Sequence, residues 1–250
     1  MEELTSLLNR TLEYYQSIQH KDYVVDPAIP ILYFGDINAY FESEIKIVTV
    51  GKNPSLIEFC CKKGEPYSFL RFPNWEEKQD YAAALNSYFE CEPYKGWFGS
   101  YEAILEGINA SYYSKSNQIN RAIHTDICSP IATDPTWTKL SEETQKELFS
   151  VGFQLWQELI GILKPDIILI SVARYWLQEL NLTSKIEFIS FDKRNDGTNR
   201  NKPYIVHQYD LLINTSKVSK VYFGQAAEKP FGTLSNDFKQ EIGRKMLAEY

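Results

Sequence analysis

Two short segments, each apolar at four of six positions, constrain the fold of this chain more than any other feature. The first covers residues 45–50 and is rich in β-branched side chains, and the second is the run DIILIS at residues 166–171. Continuous apolar runs of this length are typical of strands buried on both faces, as in a parallel sheet covered by helices. We therefore predict an α/β protein, a three-layer α/β/α sandwich with a mainly parallel central sheet.

Helical and strand-like patterns alternate through the remaining sequence. Helices are predicted at residues 2–19, 79–89, 99–109, 141–164, 173–180 and 234–250. Further strands are predicted at residues 122–128, 186–190, 204–209 and 219–223. Because no repeat, low-complexity tract or linker interrupts this alternation, we predict a single domain over residues 1–250, with a helical lead-in at residues 1–30.

The composition is that of a globular protein, with 44% hydrophobic and 24% charged residues. No window is as long and apolar as a membrane span, and the N-terminus lacks a cationic apolar signal, so we expect a cytoplasmic protein without membrane contact. The four cysteines form no Cys-x-x-Cys pair and the three histidines have no metal-like spacing, so we expect no metal and no cofactor. The net charge of −7 argues against nucleic acid, although a local basic face can coexist with an acidic body.

The first apolar strand ends abruptly in Gly51, Lys52, Asn53, Pro54 and Ser55. In parallel α/β sheets, ligands bind beyond the carboxyl ends of the strands, and this segment follows such an end. Gly51 permits a sharp exit and Pro54 stiffens the chain, so Asn53 is presented in a segment with little freedom. The same residue types are common in ordinary turns, and the residues alone favour neither interpretation.

His124 and Asp126 lie two positions apart on the strand predicted at residues 122–128. Side chains two apart on a strand point to the same face, so we expect this pair to lie together. The pair can hydrogen-bond a heterocycle or a sugar in a cleft. It can also be a strand-end pair that is satisfied by neighbouring backbone.

Basic and aromatic side chains in two late segments are candidates for nucleic-acid contact. Arg194 lies in the polar stretch at residues 193–202, and Lys229 and Phe231 lie in the loop at residues 224–234. A lysine that contacts phosphate and an aromatic ring that inserts between bases would suit DNA. The alternative for this loop is an ordinary connection between a strand and a helix, with Phe231 packed beneath it.

The order of these segments resembles the uracil-DNA glycosylase superfamily over roughly residues 30–245. The run from Gly51 to Ser55 is similar to the Gly-x-Asn-Pro form of that superfamily's first motif, which occurs in its mismatch-specific and single-strand-selective branches. The runs YFGDI at residues 33–37 and HTDICSPIATDPTW at residues 124–137 look like those of a bacterial branch.

The resemblance implies a monomeric DNA glycosylase that acts on single- or double-stranded DNA without a cofactor. Its catalytic residues would be Asn53, which holds the attacking water, and His124 and Asp126, near the strand that reads the base. The residues that contact the flipped-out base would be Gly51, Lys52 and an aromatic ring that stacks on it, either Phe59 or Phe72. The residues that contact DNA would be Ser55, Arg194, Lys229 and Phe231.

The chain departs from the superfamily at its last motif. His-Pro-Ser is absent and residues 228–232 (EKPFG) occupy its place, so the histidine that would stabilise a departing uracil is missing. The aromatic segment at residues 65–81 could accommodate a bulky base. We therefore expect a modified or damaged pyrimidine as substrate, such as the hypermodified bases of phage DNA that some members remove in antiviral defence. Repair of uracil or mismatched bases, a nucleoside-sized substrate, and a non-catalytic module of the same fold remain open.

Overall fold

A computed structural model describes residues 2–60, 64–114, 116–224 and 229–250. The strands in these residues are β1 (Ile47–Gly51), β2 (Ala110–Ser111), β3 (Asn120–Asp126), β4 (Ile167–Ile170), β5 (Leu182–Lys193), β6 (Asn199–Ile213) and β7 (Lys217–Phe223). They form a seven-stranded sheet in the order β2-β3-β1-β4-β7-β6-β5. The pairs β2/β3, β1/β4 and β4/β7 are parallel, whereas β6 is antiparallel to both β5 and β7. The predicted α/β class with a mainly parallel central sheet is confirmed.

Helices alternate with the first strands of this sheet. They are α1 (Glu2–Ile18), α2 (Ile37–Glu42), α3 (Pro73–Lys78), α4 (Tyr81–Asn86), α5 (Lys95–Gly107), α6 (Glu142–Leu163), α7 (Arg174–Leu177) and α8 (Asn236–Leu247). Single turns of 3₁₀-helix cover Leu56–Glu58, Tyr88–Glu90 and Trp137–Lys139. None of the helices in the described ranges is both long and apolar enough to cross a membrane.

Side-chain caps fix where two of these helices begin. The Ser141 hydroxyl accepts a hydrogen bond from the Thr144 amide at 3.1 Å and caps α6, as its sequence predicts. The helix predicted at residues 79–89 is shorter than expected, because the Asp80 carboxylate accepts a hydrogen bond from the Ala83 amide at 3.0 Å. This cap makes Tyr81 the first residue of α4, and the chain then tightens into a 3₁₀ turn at Tyr88.

The edge of the sheet formed by β5 and β6 differs from the predicted succession of short strands. Here a single long hairpin replaces the two short strands predicted at residues 186–190 and 204–209. Its turn contains Gly197, whose φ of 81° is easy for glycine. Most of β5 is exposed, so the apolar run that marks a buried strand is missing from its sequence.

The chain divides into two compact units, and each is described by itself. Unit 1 comprises Met1–Ile37, Gly51–Tyr94 and Ile123–Leu163, and unit 2 comprises Asn38–Val50, Lys95–Ala122 and Lys164–Tyr250. In unit 1, α1 packs against α6. In unit 2, α5 and α8 approach closely at two glycines, since a Cβ on Gly107 would lie 2.9 Å from the Cα of Gly243. The predicted single domain, with its lead-in at residues 1–30, stays a prediction.

Candidate functional site

The turn that follows β1 is bonded to the segment that follows β3, within unit 1. The carbonyl of Gly51 accepts a hydrogen bond from the Ile127 amide at 3.1 Å, and the carbonyl of Lys52 accepts one from the Cys128 amide at 2.8 Å. Ser55 then caps the 3₁₀ turn, because its hydroxyl accepts a hydrogen bond from the Ile57 amide at 3.3 Å. Two strand ends therefore meet here, as expected at the carboxyl edge of a parallel sheet.

The Asn53 side chain is anchored through its amide nitrogen. Nδ2 donates to the carbonyl of Pro54 at 2.9 Å, and its other acceptors are the carbonyl of Ile131 at 3.5 Å and the hydroxyl of Thr133 at 3.4 Å. A flipped amide would place its oxygen against two carbonyl oxygens, so these bonds fix which atom is nitrogen. No described residue donates a hydrogen bond to Asn53 Oδ1, which leaves this oxygen as a fixed acceptor.

A small polar pocket adjoins Asn53. It has a volume of about 100 Å³, and its lining residues are Lys52, Asn53, Pro54, Ser55, Thr133, Thr136, Trp137 and Thr138. The pocket therefore joins the turn after β1 to the proline-punctuated segment after β3. Several hydroxyl groups line it, and a polar pocket of this size has room for ordered water.

His124 and Asp126 lie together on β3, as their spacing predicts. His124 Nε2 is 3.6 Å from Asp126 Oδ1, and both side chains are buried. Gly51 packs directly against this pair, because a Cβ on Gly51 would collide with Asp126 Oδ1 and lie 3.0 Å from His124 Nε2. The glycine of the turn is therefore needed for space, since any side chain would displace the pair.

Glu58 is a buried carboxyl group beside this pair that the sequence analysis did not single out. Its side chain is 4% exposed and accepts a hydrogen bond of 2.5 Å from the Tyr88 hydroxyl. The pKa of Glu58 is raised from 4.5 to about 7, mainly by burial and to a smaller extent by the charge of Asp126. The Tyr88 bond and the charge of Arg71 oppose this rise. Glu58 therefore exchanges its proton near neutral pH, which is unusual for a carboxyl group.

Two other groups feel the charge of Asp126. Burial lowers the pKa of Lys52, and Asp126 and Cys128 oppose this effect. Burial also raises the pKa of the Cys128 thiol well above its usual range, with a further contribution from Asp126. The Asp126 carboxylate is therefore the electrostatic centre of a cluster that contains the turn lysine, a protonatable glutamate and His124.

Phe59 and Phe72, one of which was expected to stack on a flipped-out base, stack on each other. Their ring centroids are 5.3 Å apart at an interplanar angle of 26°, and the side chains are 1% and 0% exposed. Phe69 contacts the Phe59 ring edge-on at 6.2 Å. Base stacking by Phe59 or Phe72 stays a prediction, and it requires one ring to leave this stack.

The predicted DNA-contact residues Arg194, Lys229 and Phe231 lie in unit 2. Arg194 is exposed in the β5–β6 turn, where its guanidinium donates to the carbonyl of Asn199 at 3.1 Å, and Lys229 is exposed as well. Phe231 is packed rather than exposed, because its side chain is 0% exposed, and its contact with DNA stays a prediction. Its ring lies so close to Gly224 that any Cβ there would collide with it. The loop therefore packs Phe231 beneath itself, and residues 225–228 lie outside the described residues.

One signal in the sequence pointed to Glu58. It is the charged residue in the otherwise apolar run Leu56-Ile57-Glu58-Phe59, directly after the turn. A carboxylate between apolar neighbours is either exposed on one face of an element or buried with partners. Only the position of Tyr88, thirty residues away in the sequence, distinguishes the two.

No protein-family model matches the chain, and no curated protein matches its sequence. The resemblance to the uracil-DNA glycosylase superfamily therefore rests on the motifs of this chain.

Proposed function

We propose that the protein is a monofunctional DNA glycosylase with a three-layer fold like that of uracil-DNA glycosylases. It hydrolyses the N-glycosidic bond of a modified or damaged pyrimidine that has been flipped out of the DNA. The observation that carries this proposal is the Asn53 side chain, whose amide nitrogen is bonded to the protein and whose oxygen is a fixed acceptor beside a polar pocket. An acceptor held in this way orients a water molecule for attack.

The reaction needs a positioned water and stabilisation of separated charge. The water oxygen bonds to C1′ of the sugar, the C1′–N bond breaks, and its electron pair leaves with the base. Positive charge develops on the sugar and negative charge on the base, so positioning and electrostatics lower most of the barrier. Asn53 orients the water but cannot accept its proton. In this proposal His124 donates a hydrogen bond to the leaving base, and Asp126 orients His124.

Glu58 supplies a protonation equilibrium near the working pH. Its pKa of about 7 means that it is about half protonated at neutral pH, and it senses the charge of Asp126. The proton that hydrolysis removes from water must reach the base or the solvent. We assign Glu58 the role of buffering that proton within the cluster, which Asn53 cannot do because its amide does not accept a proton.

The substrate class follows from the departures in the sequence. The His-Pro-Ser histidine is missing, and its replacement loop buries Phe231 instead of presenting it. A base that carries its own leaving-group stabilisation, such as a hypermodified phage pyrimidine, depends less on that histidine. Antiviral defence is therefore the setting that we propose, and excision of uracil or mismatched bases in repair is the alternative.

A second candidate function is binding of a flipped base without cleavage. The observation that favours it is the burial of both groups of the proposed donor pair, since His124 is 2% exposed and Asp126 is 7% exposed. A base can contact this pair only if unit 1 opens around it. A binding module would hold the base at the pocket beside Asn53 without contact to this buried pair, and it would release no base.

Base release is the test of the proposal. The purified protein is incubated with uracil-containing, mismatched and single-stranded oligonucleotides and with phage DNA that carries hypermodified pyrimidines, and free base is measured by mass spectrometry. We expect release from at least one DNA, and a loss of about 100-fold or more in Asn53→Ala. Release by Asn53→Ala at the wild-type rate would contradict the proposal.

Asn74→Ala is the matched control for this test. Asn74 is a half-buried asparagine of the same unit whose Nδ2 donates to the Ser87 hydroxyl at 2.9 Å. Its removal also deletes an amide and a hydrogen bond but leaves the turn after β1 intact. Oligonucleotide binding without any base release, lost in Asn53→Ala and kept in Asn74→Ala, would favour the binding module instead.

A further inference from the structure

A second cluster, in unit 2, combines an uncommitted guanidinium with aromatic rings. We call it the Arg174 cluster, and it consists of Arg174, Lys185, His207, Tyr209 and Phe223. The Arg174 guanidinium carbon lies 5.7 Å from the centroid of the Phe223 ring. Arg174 is exposed and forms neither a side-chain hydrogen bond nor an ion pair with any residue in the described part of unit 2. The guanidinium therefore lies over the Phe223 ring, and its five N–H donors face solvent.

Strand register brings the aromatic members together. His207 and Tyr209 are two apart on β6 and share a face, and their ring centroids are 6.3 Å apart. His207 lies opposite Phe223 on β7, the ring beneath Arg174. Both His207 and Tyr209 are half-buried. The face therefore presents a row of flat side chains beside the guanidinium.

The charge of Arg174 acts on both His207 and Tyr209. Burial is the largest cause that lowers the pKa of His207, and the charges of Lys185 and Arg174 lower it further. Burial raises the pKa of Tyr209, and the charge of Arg174 opposes that rise. Glu187, which lies opposite His207 on β5, is the carboxylate that acts on this histidine in the other direction. Two cations therefore outweigh one anion here, in a chain whose net charge is −7.

His207 also carries an unsatisfied polar atom. Its Nδ1 is buried and has no hydrogen-bond partner among the described residues. A buried nitrogen without a partner costs free energy, and a ligand that pairs with it recovers part of that cost. Arg194 in the β5–β6 turn and Arg200 at the start of β6 differ, because both direct donors to backbone carbonyls of their own unit.

We propose that the Arg174 cluster binds an unpaired nucleotide of a nucleic-acid strand. The phosphate pairs with Arg174, and the base stacks on Tyr209. A guanidinium matches the geometry of phosphate oxygens, and aromatic rings provide sequence-tolerant stacking for bases whose faces are open. The base must be unpaired, because in a duplex both of its faces are covered by neighbouring bases. Only the choice of DNA over RNA rests on the proposed function.

The test measures binding of two fluorescent twelve-nucleotide DNAs by anisotropy. One is oligothymidylate, and the other has the same phosphates with base-free tetrahydrofuran residues. The Asn53→Ala protein of residues 1–250 is used, so that base release is suppressed during the measurement. We expect oligothymidylate to bind about tenfold more tightly than the base-free strand. Tyr209→Ala removes that difference, whereas Tyr209→Phe keeps the ring and the difference.

Arg174→Gln tests the phosphate contact. It weakens binding of both strands about tenfold and lowers the slope of log affinity against log salt by about 0.7, as expected for one contact on a single strand. Arg244→Gln is the matched control, because Arg244 is an exposed arginine of α8 outside the cluster. It is expected to stay within about twofold of the parent protein.

Several outcomes overturn the inference. These are no binding of oligothymidylate, equal effects of Arg174→Gln and Arg244→Gln, or a duplex that binds as tightly as the single strand. If thymidine monophosphate competes as well as the strand at equal nucleotide concentration, the cluster is a site for free nucleotides and not for a strand. Base release plays no part in this assay. Cluster-dependent binding in this assay, together with no base release by the wild type in the separate release assay, leaves this inference standing and removes only the proposed function.

Discussion

Glu58 in unit 1 and Lys239 in unit 2 are both almost fully buried, each being 4% exposed, and burial moves their pKa values in opposite directions. The pKa of Glu58 rises to about 7, and that of Lys239 falls to about 8, with a contribution from the charge of Lys229. Each group is therefore pushed towards its neutral form at a pH near neutrality.

Their surroundings differ. Glu58 lies near Asp126 in a cluster that also contains His124, and this cluster adjoins the Asn53 turn. Lys239 donates to the Ser100 hydroxyl at 2.5 Å, and Ser100 donates to the carbonyl of Pro230 at 2.7 Å, so it anchors the loop before α8. The comparison shows that a shifted pKa alone does not define a site. Neighbouring titratable groups and an adjacent pocket do.

Glu58→Gln has the largest expected effect on the stability of the protein. In the wild type the folded state binds more protons than the unfolded state between pH 4.5 and 7, so stability falls as pH rises through this window. The full loss is on the order of 3 kcal/mol. The glutamine variant lacks this fall and is the more stable protein at pH 8, as urea unfolding at several pH values would reveal. Parallel curves for variant and wild type, as expected for exposed Glu143→Gln, would rule out the raised pKa.

Lys239→Met tests the opposite dependence of stability on pH, in unit 2. Here the unfolded state binds more protons between pH 8 and 10.5, so wild-type stability rises through this window. The rise is roughly 2 kcal/mol, because solvent screens the part that comes from exposed Lys229. The methionine variant is expected to show a flat profile there, with base release unchanged. Exposed Lys146→Met is the control and should keep the wild-type rise.

Gly51→Ala tests whether the His124–Asp126 pair depends on space beside the turn. The added Cβ collides with Asp126 Oδ1, so we expect a loss of about 1–3 kcal/mol in stability and a loss of base release. Gly161→Ala is the matched control in α6 of the same unit, since nothing lies within 4 Å of its Cβ. It should stabilise the protein by about 0.5–1 kcal/mol. Equal thermal unfolding of the two variants would contradict the close contact.

Tyr88→Phe has the smallest expected effect, about 1 kcal/mol in stability at low pH. The variant is best recognised by the pH range over which stability falls, because the lost hydrogen bond had lowered the pKa of Glu58. The fall in stability should therefore still begin near pH 4.5 but extend above pH 7. Tyr81→Phe removes a buried hydroxyl that donates to the Pro30 carbonyl at 2.9 Å, and it should cost similar stability without moving the window.

Much of the framework could be predicted from local sequence. The apolar runs of β1 and β4 predicted buried parallel strands, and the spacing of His124 and Asp126 predicted their shared face. The long β5–β6 hairpin was missed, because a mostly exposed strand lacks an apolar run. The burial of Phe231 was left open, since it depends on the close approach of its ring to Gly224.

The sequence by itself determined the buried parallel strands β1 and β4, the long helices α1 and α6 and the turn that presents Asn53, because each depends on neighbours within a few positions. Tertiary structure decided the rest. The pKa of Glu58 depends on Tyr88 and Asp126, and the Arg174 cluster depends on the register of β6 and β7. Both arise from contacts between residues far apart in the chain, where burial and charge act through space and leave no periodic pattern in the sequence.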